Sequence, residues 1–432
     1  MKSGDPFADH EFARAEERLL AARRTALELL EELVQIPTVN PPGGHYLECA
    51  LLLAERLRDL GFEPETVELP PHERERLGLP AGNPRPSVVA ALEGRDAAAA
   101  RAAGSPVPTL HFHGHYDVVP AGRPEMFALE VRGERAFGRG TADMKGGIVA
   151  MFLALSALRG LRDRLRGRVL LSLVPDEETG GAAGTAHLFR AGVLAPGGLG
   201  MLMPEPTGTT IWNGNRGALS LMLTIHGRSA HVAMQHQGQN AFEGMLELGT
   251  MLRELKREIE GRSFGEATLG LDGPPSVLLI GGVSSGGTNF NVVPHEVRFS
   301  LDRRFHPAEA AAAVERELDA VFRAFRRKGW KLDIEHLQRG DASLTPSDSP
   351  FAQAMARVVA SVTGQPPRFA LCPGILETRF FLQHGIPGLA YGPGELEHSH
   401  QADEHVTIAR IFEVARVYAR TAWLTLGPAS RA

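Results

Sequence analysis

The order of the predicted strands and helices is the feature that most constrains how this chain of 432 residues folds. In its first half, a buried strand at Thr109–His115, a helix at Gly147–Arg159 and a buried strand at Arg168–Pro175 follow one another. Strands that alternate with helices are typical of an α/β sheet with helices on both faces. This alternation stops at Ala218 and resumes after Thr345-Pro346. The pattern therefore predicts one domain inserted into another, and the length suits two domains.

The interrupting block consists of one strand, a helix, two strands, a helix and a final strand. This βαββαβ order is self-contained and has the form of a ferredoxin-like sandwich. We therefore predict a mixed-sheet α/β/α domain with an inserted ferredoxin-like βαββαβ domain, divided at residues 1–216, 217–340 and 341–432. The predicted elements of the block are Ala218–His226, Ala241–Ile259, Ser276–Gly281, Glu296–Asp302, Ala308–Arg326 and Trp330–His336.

The N-terminal part of the chain is predicted to begin with one long helix. Apolar residues at helical spacing place this helix at Glu11–Gln35 and a second helix at about Leu47–Leu60. Short strands are expected near Glu63–Leu69 and Ser87–Leu92. The Ala-, Arg- and Gly-rich stretch Arg95–Pro108 is expected to be a surface excursion between strands and not a linker between domains.

Charge and hydropathy exclude several classes of function. The formal net charge is -5, and no Lys/Arg block is large enough to bind nucleic acid or an anionic membrane. We expect no membrane span, since no apolar run approaches ~18 residues, and the N-terminus has no signal-peptide pattern. Cys49 and Cys372 lie beside apolar residues outside any metal motif, as expected for buried thiols. These features predict a soluble, cytoplasmic protein.

Candidate metal ligands lie in short motifs, nearly all of them directly after a predicted strand. Because the ends of parallel strands meet at one edge of a sheet, such side chains can assemble a polynuclear site there. A mixture of imidazole and carboxylate ligands favours zinc, manganese or cobalt over calcium or magnesium. The candidate ligands are His115, Asp143, Glu178, Glu205 and His400.

These motifs carry a family resemblance. In chain order, the His-x-Asp at His115, the glycine-flanked Asp143, the paired glutamates, the Glu-Pro at Glu205 and the His-x-x-Asp-Glu at His400 resemble those of M20 metallopeptidases and aminoacylases. The resemblance covers roughly residues 15 to 425 and is strongest to the branch of acetylornithine deacetylase and succinyl-diaminopimelate desuccinylase. It implies an amide hydrolase with two divalent metal ions per subunit, with zinc expected first and cobalt or manganese as alternatives.

The resemblance also implies a role for each ligand. His115 and Glu205 would hold one metal, Glu178 and His400 would hold the other, and Asp143 would bridge both. A bridging carboxylate of this kind keeps the two cations at their working separation, which makes Asp143 the ligand that is hardest to replace.

Three further features follow from the resemblance. Glu177 would be the general base, Asp117 would accept the second ring N–H of His115, and the Asp143-Met144 peptide would be cis. An aspartate that accepts a ligand's other ring N–H fixes the tautomer of the imidazole. In an extended segment, Glu177 and Glu178 would point in opposite directions, so the loop that carries them must curl.

In the inserted domain, the resemblance implies residues that bind substrate. His231 would stabilise the oxyanion of the tetrahedral intermediate. Arg216, Asn291 and Arg304 fall where the family binds the carboxylate and carbonyl groups of a small substrate, and Gly374 opens a turn that contacts it. Arginine suits a carboxylate because its planar fork donates two hydrogen bonds, although Arg216 and Arg304 could instead be surface residues in ion pairs. The family also implies a homodimer through this domain, with His231 acting on the partner's site.

Several alternatives remain open at this point. His111 and His113 alternate with His115 on one face of a strand and are candidate ligands by position alone. His398 could replace His400, although the His-x-x-Asp-Glu spacing favours His400. Asp176 is expected to be a structural carboxylate. The Gly138-x-Gly140 pair lacks the rest of a dinucleotide fingerprint, so no nucleotide cofactor is expected.

The substrate follows less directly from the sequence than the chemistry does. Desuccinylases have a polar turn of the Thr-Ser-Asp type where this chain has Ile375-Leu376-Glu377, which argues against a second, succinyl carboxylate at that position. Glu377 could instead face a cationic amine or be a helix N-terminal acid. The leading hypothesis is therefore deacylation of an acetylornithine- or acetyl-lysine-like substrate. The alternatives are a dipeptidase or carboxypeptidase, a desuccinylase, and an inactive ligand-binding relative.

Overall fold

The computed structural model describes residues 7–264 and 274–428. The chain divides into two compact units, of which the first comprises Met1–Asn213, Thr345–Phe369 and Phe380–Ala432, and the second comprises Gly214–Leu344 and Ala370–Arg379. The short stretch Ala370–Arg379 thus belongs with the inserted block, although it follows that block in the sequence. The bounds 1–216, 217–340 and 341–432 and the roles of those segments stay a prediction.

The helices of the described part of the chain are α1 (His10–Ala21), α2 (Arg23–Gln35), α3 (Tyr46–Asp59), α4 (Pro71–Arg76), α5 (Ala97–Ala102), α6 (Gly146–Arg159), α7 (Thr185–Arg190), α8 (Ala241–Glu260), α9 (Ala311–Arg327), α10 (Pro350–Thr363), α11 (Thr378–Gln383) and α12 (Ile408–Leu426). The strands are β1 (Glu65–Val67), β2 (Ser87–Glu93), β3 (Thr109–His115), β4 (Glu130–Arg132), β5 (Arg135–Phe137), β6 (Arg168–Val174), β7 (Gly200–Met203), β8 (Thr210–Asn215), β9 (Gly217–His226), β10 (Val277–Gly286), β11 (Glu296–Phe305), β12 (Lys331–Gly340), β13 (Ser343–Leu344), β14 (Arg368–Cys372), β15 (Gly388–Ala390) and β16 (His405–Thr407). Short 3₁₀ turns lie at Pro124–Phe127, Arg162–Arg164, Glu177–Thr179 and Val232–Gln237, and a π-helical turn lies at Thr141–Lys145.

The first unit is built on a mixed sheet with the strand order β1-β2-β6-β3-β7-β15-β8. Strand β3 pairs in parallel with β6 and β7, and β7 pairs in parallel with β15, whereas the remaining pairs are antiparallel. The register places His115 at the end of β3 opposite Val174 at the end of β6. Because β3, β6 and β7 run in the same direction, the loops that follow them meet at one edge of the sheet. The predicted mixed-sheet α/β class is confirmed.

Helix α6 is the central helix of the first unit's core. Nearly all of its side chains are buried, among them Ile148, Met151 and Leu155. The helical stretch Thr141–Arg159 is long and apolar enough to cross a membrane, judged by length and composition only. However, 89% of its apolar window is buried inside the protein. A helix that is apolar on all sides is typical of a protein core, and α6 packs there against α12, α1 and α2.

Two regions of the first unit differ from the sequence prediction. The prediction of a single N-terminal helix is wrong, because Ala22 leaves helical geometry (φ -85°, ψ 29°) and separates α1 from α2. The apolar spacing continues across this break, so the pattern does not reveal it. The stretch Arg95–Pro108 contains the short helix α5. Helix α12 and the three-stranded sheet β16-β5-β4 have no counterpart among the predicted elements.

The second unit contains an antiparallel sheet in the order β10-β11-β9-β12. Residues of α8 and α9, such as Leu248 and Phe322, share one hydrophobic core with Leu223 of β9. This is the strand order of a βαββαβ sandwich, so the predicted ferredoxin-like class is confirmed. Strand β10 lies at an edge of the sheet, and its pairing with β11 shifts register between Ile280 and Ser284.

Candidate active site

The candidate metal ligands of the first unit come from five different segments. His115 ends β3, Glu178 lies in the 3₁₀ turn after β6, and Glu205 follows β7. Asp143 lies in the π-helical turn before α6, and His400 lies in the loop before β16. Three of these positions follow parallel strands, which explains why residues distant in sequence meet at one edge of the sheet.

These side chains form two groups that could each hold a metal ion, and the ligand atoms within each group lie within 4.8 Å of one another. The first group is His115, Asp143 and Glu205, and the second is Asp143, Glu178 and His400. The Nε2 atom of His115 lies 3.2 Å from Oδ1 of Asp143, and the Nε2 atom of His400 lies 3.5 Å from Oδ2 of Asp143. Asp143 therefore presents one oxygen to each group.

The polar atoms in these groups fit divalent cations. The Oε1 atom of Glu205 is buried and has no hydrogen-bond partner among residues 7–264 and 274–428, which is costly unless another ligand satisfies it. One imidazole and two carboxylates per group are suited to zinc, cobalt or manganese. The site can therefore hold two cations that share Asp143.

The site's electrostatics also favour cations. Burial opposes the charge of the Asp143 carboxylate, but hydrogen bonds from His115 and His400 outweigh it and lower the pKa of Asp143. Hydrogen bonds to Asp143 and Glu178 raise the pKa of His400 to about 10. Burial, followed by the charge of Asp143, raises the pKa of Glu205 well above its ordinary value. The ionised forms of these buried carboxylates therefore need nearby positive charge, and two divalent cations would supply it.

Asp117 organises the side chains around the first group. Its Oδ1 accepts the backbone N–H of Glu177 at 3.2 Å, and its Oδ2 accepts that of Glu178 at 3.1 Å. The Nδ1 atom of His115 lies 3.0 Å from the main-chain oxygen of Asp117 and 3.4 Å from its carboxylate. The nearer partner of the imidazole is thus the carbonyl oxygen, while the carboxylate holds the turn that carries both glutamates.

Glu404 holds the turn that carries Asp143. Its Oε1 accepts the backbone N–H groups of Gly140, Ala142 and Asp143 at 3.0 to 3.2 Å, and its Oε2 accepts Nη1 of Arg139 at 2.5 Å. The sequence predicts no role for this residue, although it closes the His-x-x-Asp-Glu motif. The Asp143-Met144 peptide is cis, so that prediction is confirmed.

In the second unit, the two predicted arginines differ in their partners. Arg304 donates from Nε to Oδ1 of Asp302 at 2.7 Å and from Nη2 to its Oδ2 at 3.1 Å. Arg216 is half-buried, and its Nε is buried without a hydrogen-bond partner. Burial, followed by the charge of Arg304, lowers the pKa of Arg216, so this side chain would gain from an anionic ligand.

The other predicted residues of the second unit lie on loops. His231 is exposed and forms an isolated bridge with Val292, and its Nδ1 accepts the N–H of Ala233 at 3.2 Å. The main-chain oxygen of Asn291 accepts the N–H of the residue after His231, which places the two loops side by side. The N–H of Gly374 lies 3.3 Å from Sγ of Cys372.

Comparison with known proteins identifies a family whose matched region contains all five candidate metal ligands. A family described as Peptidase family M20/M25/M40 matches residues 111–424 of the chain, a range that contains both ligand groups. The chain belongs to the M20 peptidase family. As an M20 protein, it is a hydrolase that acts on amide bonds.

Individual relatives of this M20 chain cover nearly its whole length. A succinyl-diaminopimelate desuccinylase of Gluconobacter oxydans is 30% identical over 408 residues, which cover 90% of this chain and 94% of the relative. The di-peptidase Dug1p of Saccharomyces cerevisiae has a similar structure (TM-score 0.73, 15% identity, 96% and 98% of the two chains). So has Bacillus subtilis YXEP, described as a dinuclear metal binding peptidase from the M20 family (TM-score 0.65, 18% identity, 94% and 99%). At these identities the two structures show a shared fold.

The alternative ligands of the M20 site have other partners. His113 lies between Oγ of Ser172 and Oγ1 of Thr185, at 2.7 and 2.9 Å. Burial lowers the pKa of His111 to about 3, and this residue belongs to neither of the two groups that share Asp143. The structure also brings His400, and not His398, next to Asp143, since the Nε2 of His398 lies 3.4 Å from Glu395.

Proposed function

We propose that this M20 hydrolase cleaves the amide bond of a small N-acyl amino acid, with two divalent metal ions and with Glu177 as the general base. One observation carries the proposal: two ligand groups share Asp143, and a glutamate outside both groups, Glu177, directly precedes Glu178. A two-metal hydrolase needs such a carboxylate that is not a ligand.

The ligand assignment follows the two groups. His115 and Glu205 would hold one cation, Glu178 and His400 the other, and Asp143 both, with zinc as the proposed metal. When bound, the cations polarise the scissile carbonyl and lower the pKa of the attacking water.

Glu177 moves the proton in this reaction. It accepts a proton as the water oxygen bonds to the carbonyl carbon, and it delivers that proton to the nitrogen as the C–N bond breaks. The negative charge of Glu177 already acts on its surroundings, since it contributes, after burial and Asp143, to the raised pKa of Glu205. Asp117 fixes the backbone of Glu177 and so acts as a positioning residue.

Residues of the second unit would recognise the substrate. The proposed partner of the substrate's carboxylate is Arg216, which is supported by its buried Nε, for which no hydrogen-bond partner lies among the described residues. Arg304 would contribute less, because Asp302 already accepts two of its hydrogen bonds. His231 would donate to the developing oxyanion, and Asn291 and Gly374 would contact the acyl carbonyl region.

The acyl group is proposed to be small, on an ornithine- or lysine-like amino acid. Ile375 and Leu376 supply no hydroxyl groups for a second carboxylate. Glu377 is fully buried directly before α11, which supports a role as a helix N-terminal acid and not as a contact for a cationic amine. A desuccinylase is the second candidate, because a curated relative at 30% identity carries that name.

A substrate panel tests the proposed function. N-acetyl, N-succinyl and N-formyl amino acids and dipeptides are assayed with the enzyme loaded with zinc, cobalt or manganese, and Glu177→Gln serves as the inactive control. We expect the N-acetyl derivatives of basic amino acids to have the highest kcat/KM. Highest activity on succinyl substrates or on dipeptides would replace the proposed substrate. An enzyme that binds no metal and cleaves no compound would support the inactive relative.

We also propose a cytoplasmic homodimer that pairs through the second unit, with His231 acting in trans. Strand β10 leaves an edge for pairing, and Leu279 and Val283 on it are 55% and 61% exposed. The reduced cytoplasm is consistent with the free, buried thiols of Cys49 and Cys372.

Mixing two inactive variants tests the trans role. In a mixture of His231→Ala and Glu177→Ala subunits, half of the dimers are mixed and each has one complete site, so about a quarter of full activity should return. If mixed dimers form without activity, His231 acts within its own subunit, and a monomer in solution would contradict the dimer.

A further inference from the structure

We propose that Arg85 is a positioning residue for the general base, because its buried ion pair with Asp176 fixes the turn that carries Glu177 and Glu178. This inference rests on the proposed role of Glu177. The side chain of Arg85 is only 1% exposed, although arginine is almost never fully buried unless it is paired.

The guanidinium of Arg85 has a partner on each side. Its Nε lies 3.2 Å from Oδ1 of Asp176, whose side chain is 5% exposed, so the two groups form an ion pair that lacks hydrogen-bond geometry. Its Nη1 and Nη2 donate to the main-chain oxygens of Gly43 and Pro42 at 3.3 and 2.8 Å, and its Cζ lies 4.8 Å from the centre of the Tyr46 ring. A Cβ atom on Gly43 would lie 1.5 Å from Nη1, so the glycine leaves the space that the guanidinium occupies.

Asp176 has a backbone conformation that is uncommon among non-glycine residues, although aspartate adopts it more readily than most. Its φ of 69° and ψ of 17° are left-handed, and such a conformation persists in a non-glycine residue where the surroundings enforce it. Its main-chain oxygen accepts the N–H groups of Thr179 and Gly181 at 3.3 and 2.7 Å. The chain therefore curls immediately after β6. An extended chain would instead direct Glu177 and Glu178 to opposite faces.

Asn40 connects this ion pair to the site. Its Nδ2 lies 2.9 Å from Oδ2 of Asp117, 2.9 Å from Oγ1 of Thr179 and 3.4 Å from Oδ1 of Asp176. Asp117 in turn accepts the N–H of Glu177. The path from Arg85 through Asp176 and Asn40 to Asp117 is thus continuous, and it ends on the backbone of the proposed base.

A purely structural ion pair would be expected to affect folding and not turnover. The chain offers a matched control in Arg420, whose Nε lies 2.7 Å from Oε1 of Glu16 and which joins α12 to α1. These side chains are 12% and 13% exposed. Loss of either arginine removes an ion pair that is largely shielded from solvent, but only Arg85 is connected to the turn of Glu177.

The test compares Arg85→Met, Arg85→Lys and Arg420→Met with the wild-type enzyme. For each protein, kcat, KM, metal content and melting temperature are measured with the best substrate of the panel, at a temperature at which every variant is folded. We expect Arg85→Met to lower kcat by about 10- to 100-fold with both metals retained and with KM changed by less than about threefold. Arg85→Lys should recover part of the lost kcat, and Arg420→Met should lower only the melting temperature.

Asp176→Asn keeps the size of the side chain and removes its charge, so it tests the same pair if Arg85→Met does not fold. We expect a lower kcat for Asp176→Asn, and no further loss when Arg85→Met is added, because both changes remove one interaction. The inference is overturned if the kcat of these variants equals that of Arg420→Met, or if excess zinc restores it fully. Glu177→Gln is measured in the same assay. An active Glu177→Gln contradicts the proposed function itself, whereas an inactive one beside a wild-type kcat for Arg85→Met contradicts only this inference.

Discussion

The candidate ligands of the first unit and the predicted substrate residues of the second unit are held in different ways. His115 and Glu205 are 1% and 5% exposed, and the loops around them are tied together by the carboxylates of Asp117 and Glu404. His231 is exposed, and its ring accepts a hydrogen bond from the N–H of Ala233, two residues away.

This difference follows from what each region must do. Ligands must keep their separations to hold two cations, and three of the five candidates follow buried parallel strands that cannot move independently. Residues that recognise a substrate lie on loops, which can adjust when it binds. We therefore expect substitutions in the first region to change metal content or kcat. In the second region, substitution of Arg216 should change mainly KM, whereas substitution of His231, which would stabilise the oxyanion, should lower kcat.

The largest expected effect separates the neighbouring glutamates. Glu177→Ala should keep both metals and lower kcat by about 10²- to 10⁴-fold, because it removes general-base assistance. Glu178→Ala, as the matched variant, should lose metal. Metal analysis and single-turnover rates check both variants, and a metal-deficient Glu177→Ala would reverse the two roles.

Asp143→Asn should weaken binding of both cations. Because Asp143 contributes an oxygen to each ligand group, we expect a loss of metal affinity larger than the ~10- to 100-fold that residues behind the ligands typically contribute. Titration with a chelator gives the two affinities, and Glu205→Gln is the comparison that should affect one cation more than the other. If Asp143→Asn loses only one metal, Asp143 does not serve both groups.

Arg216→Met should raise KM more than it lowers kcat. A hydrogen bond to a charged group contributes about 1.5–3 kcal/mol, which corresponds to a KM increase of roughly 10- to 150-fold. Arg339→Met is the control from the same unit, since it removes the exposed ion pair with Glu315 and should leave KM unchanged. Equal changes in kcat for both variants, without a change in KM, would contradict carboxylate binding by Arg216.

The smallest expected effect is a release of protons when the metal-free enzyme binds zinc. Without cations, the pKa of His400 is raised from 6.5 to about 10, so its imidazole carries a proton at pH 7.5. Zinc ligands must be deprotonated, so we expect about one proton to be released from His400 per subunit. Calorimetry in buffers of different ionisation enthalpy measures this number, and His400→Asn should lower it by about one.

The pH dependence of this release has a defined sign. Because the folded pKa of His400 lies above its unfolded value, its protonated form stabilises the metal-free protein fully below about pH 6.5, and this contribution disappears as the pH rises through about 10. The release should therefore vanish above that pH, while acid should weaken zinc binding. A release that does not change between pH 7 and pH 11 would contradict the raised pKa.

The sequence alone determined the order of most strands and helices and the motifs that carry the ligands. Apolar residues repeat every two residues in a half-buried strand and every three to four residues in a helix, and this spacing is a local property of the sequence. The ends of β3, α6 and β6 could therefore be predicted to within a residue or two. The ligand motifs are also local, because each lies in a short stretch after a strand. The family followed from their order along the chain.

Only the tertiary structure decided which distant side chains meet. It placed His400 and not His398 beside Asp143, it gave Glu404 three backbone N–H groups to accept, and it paired Arg85 with Asp176. Hydrophobic spacing says nothing about such contacts, because they depend on packing between segments that lie far apart in the chain. The grouping of Ala370–Arg379 with the second unit is decided in the same way, by what that segment packs against.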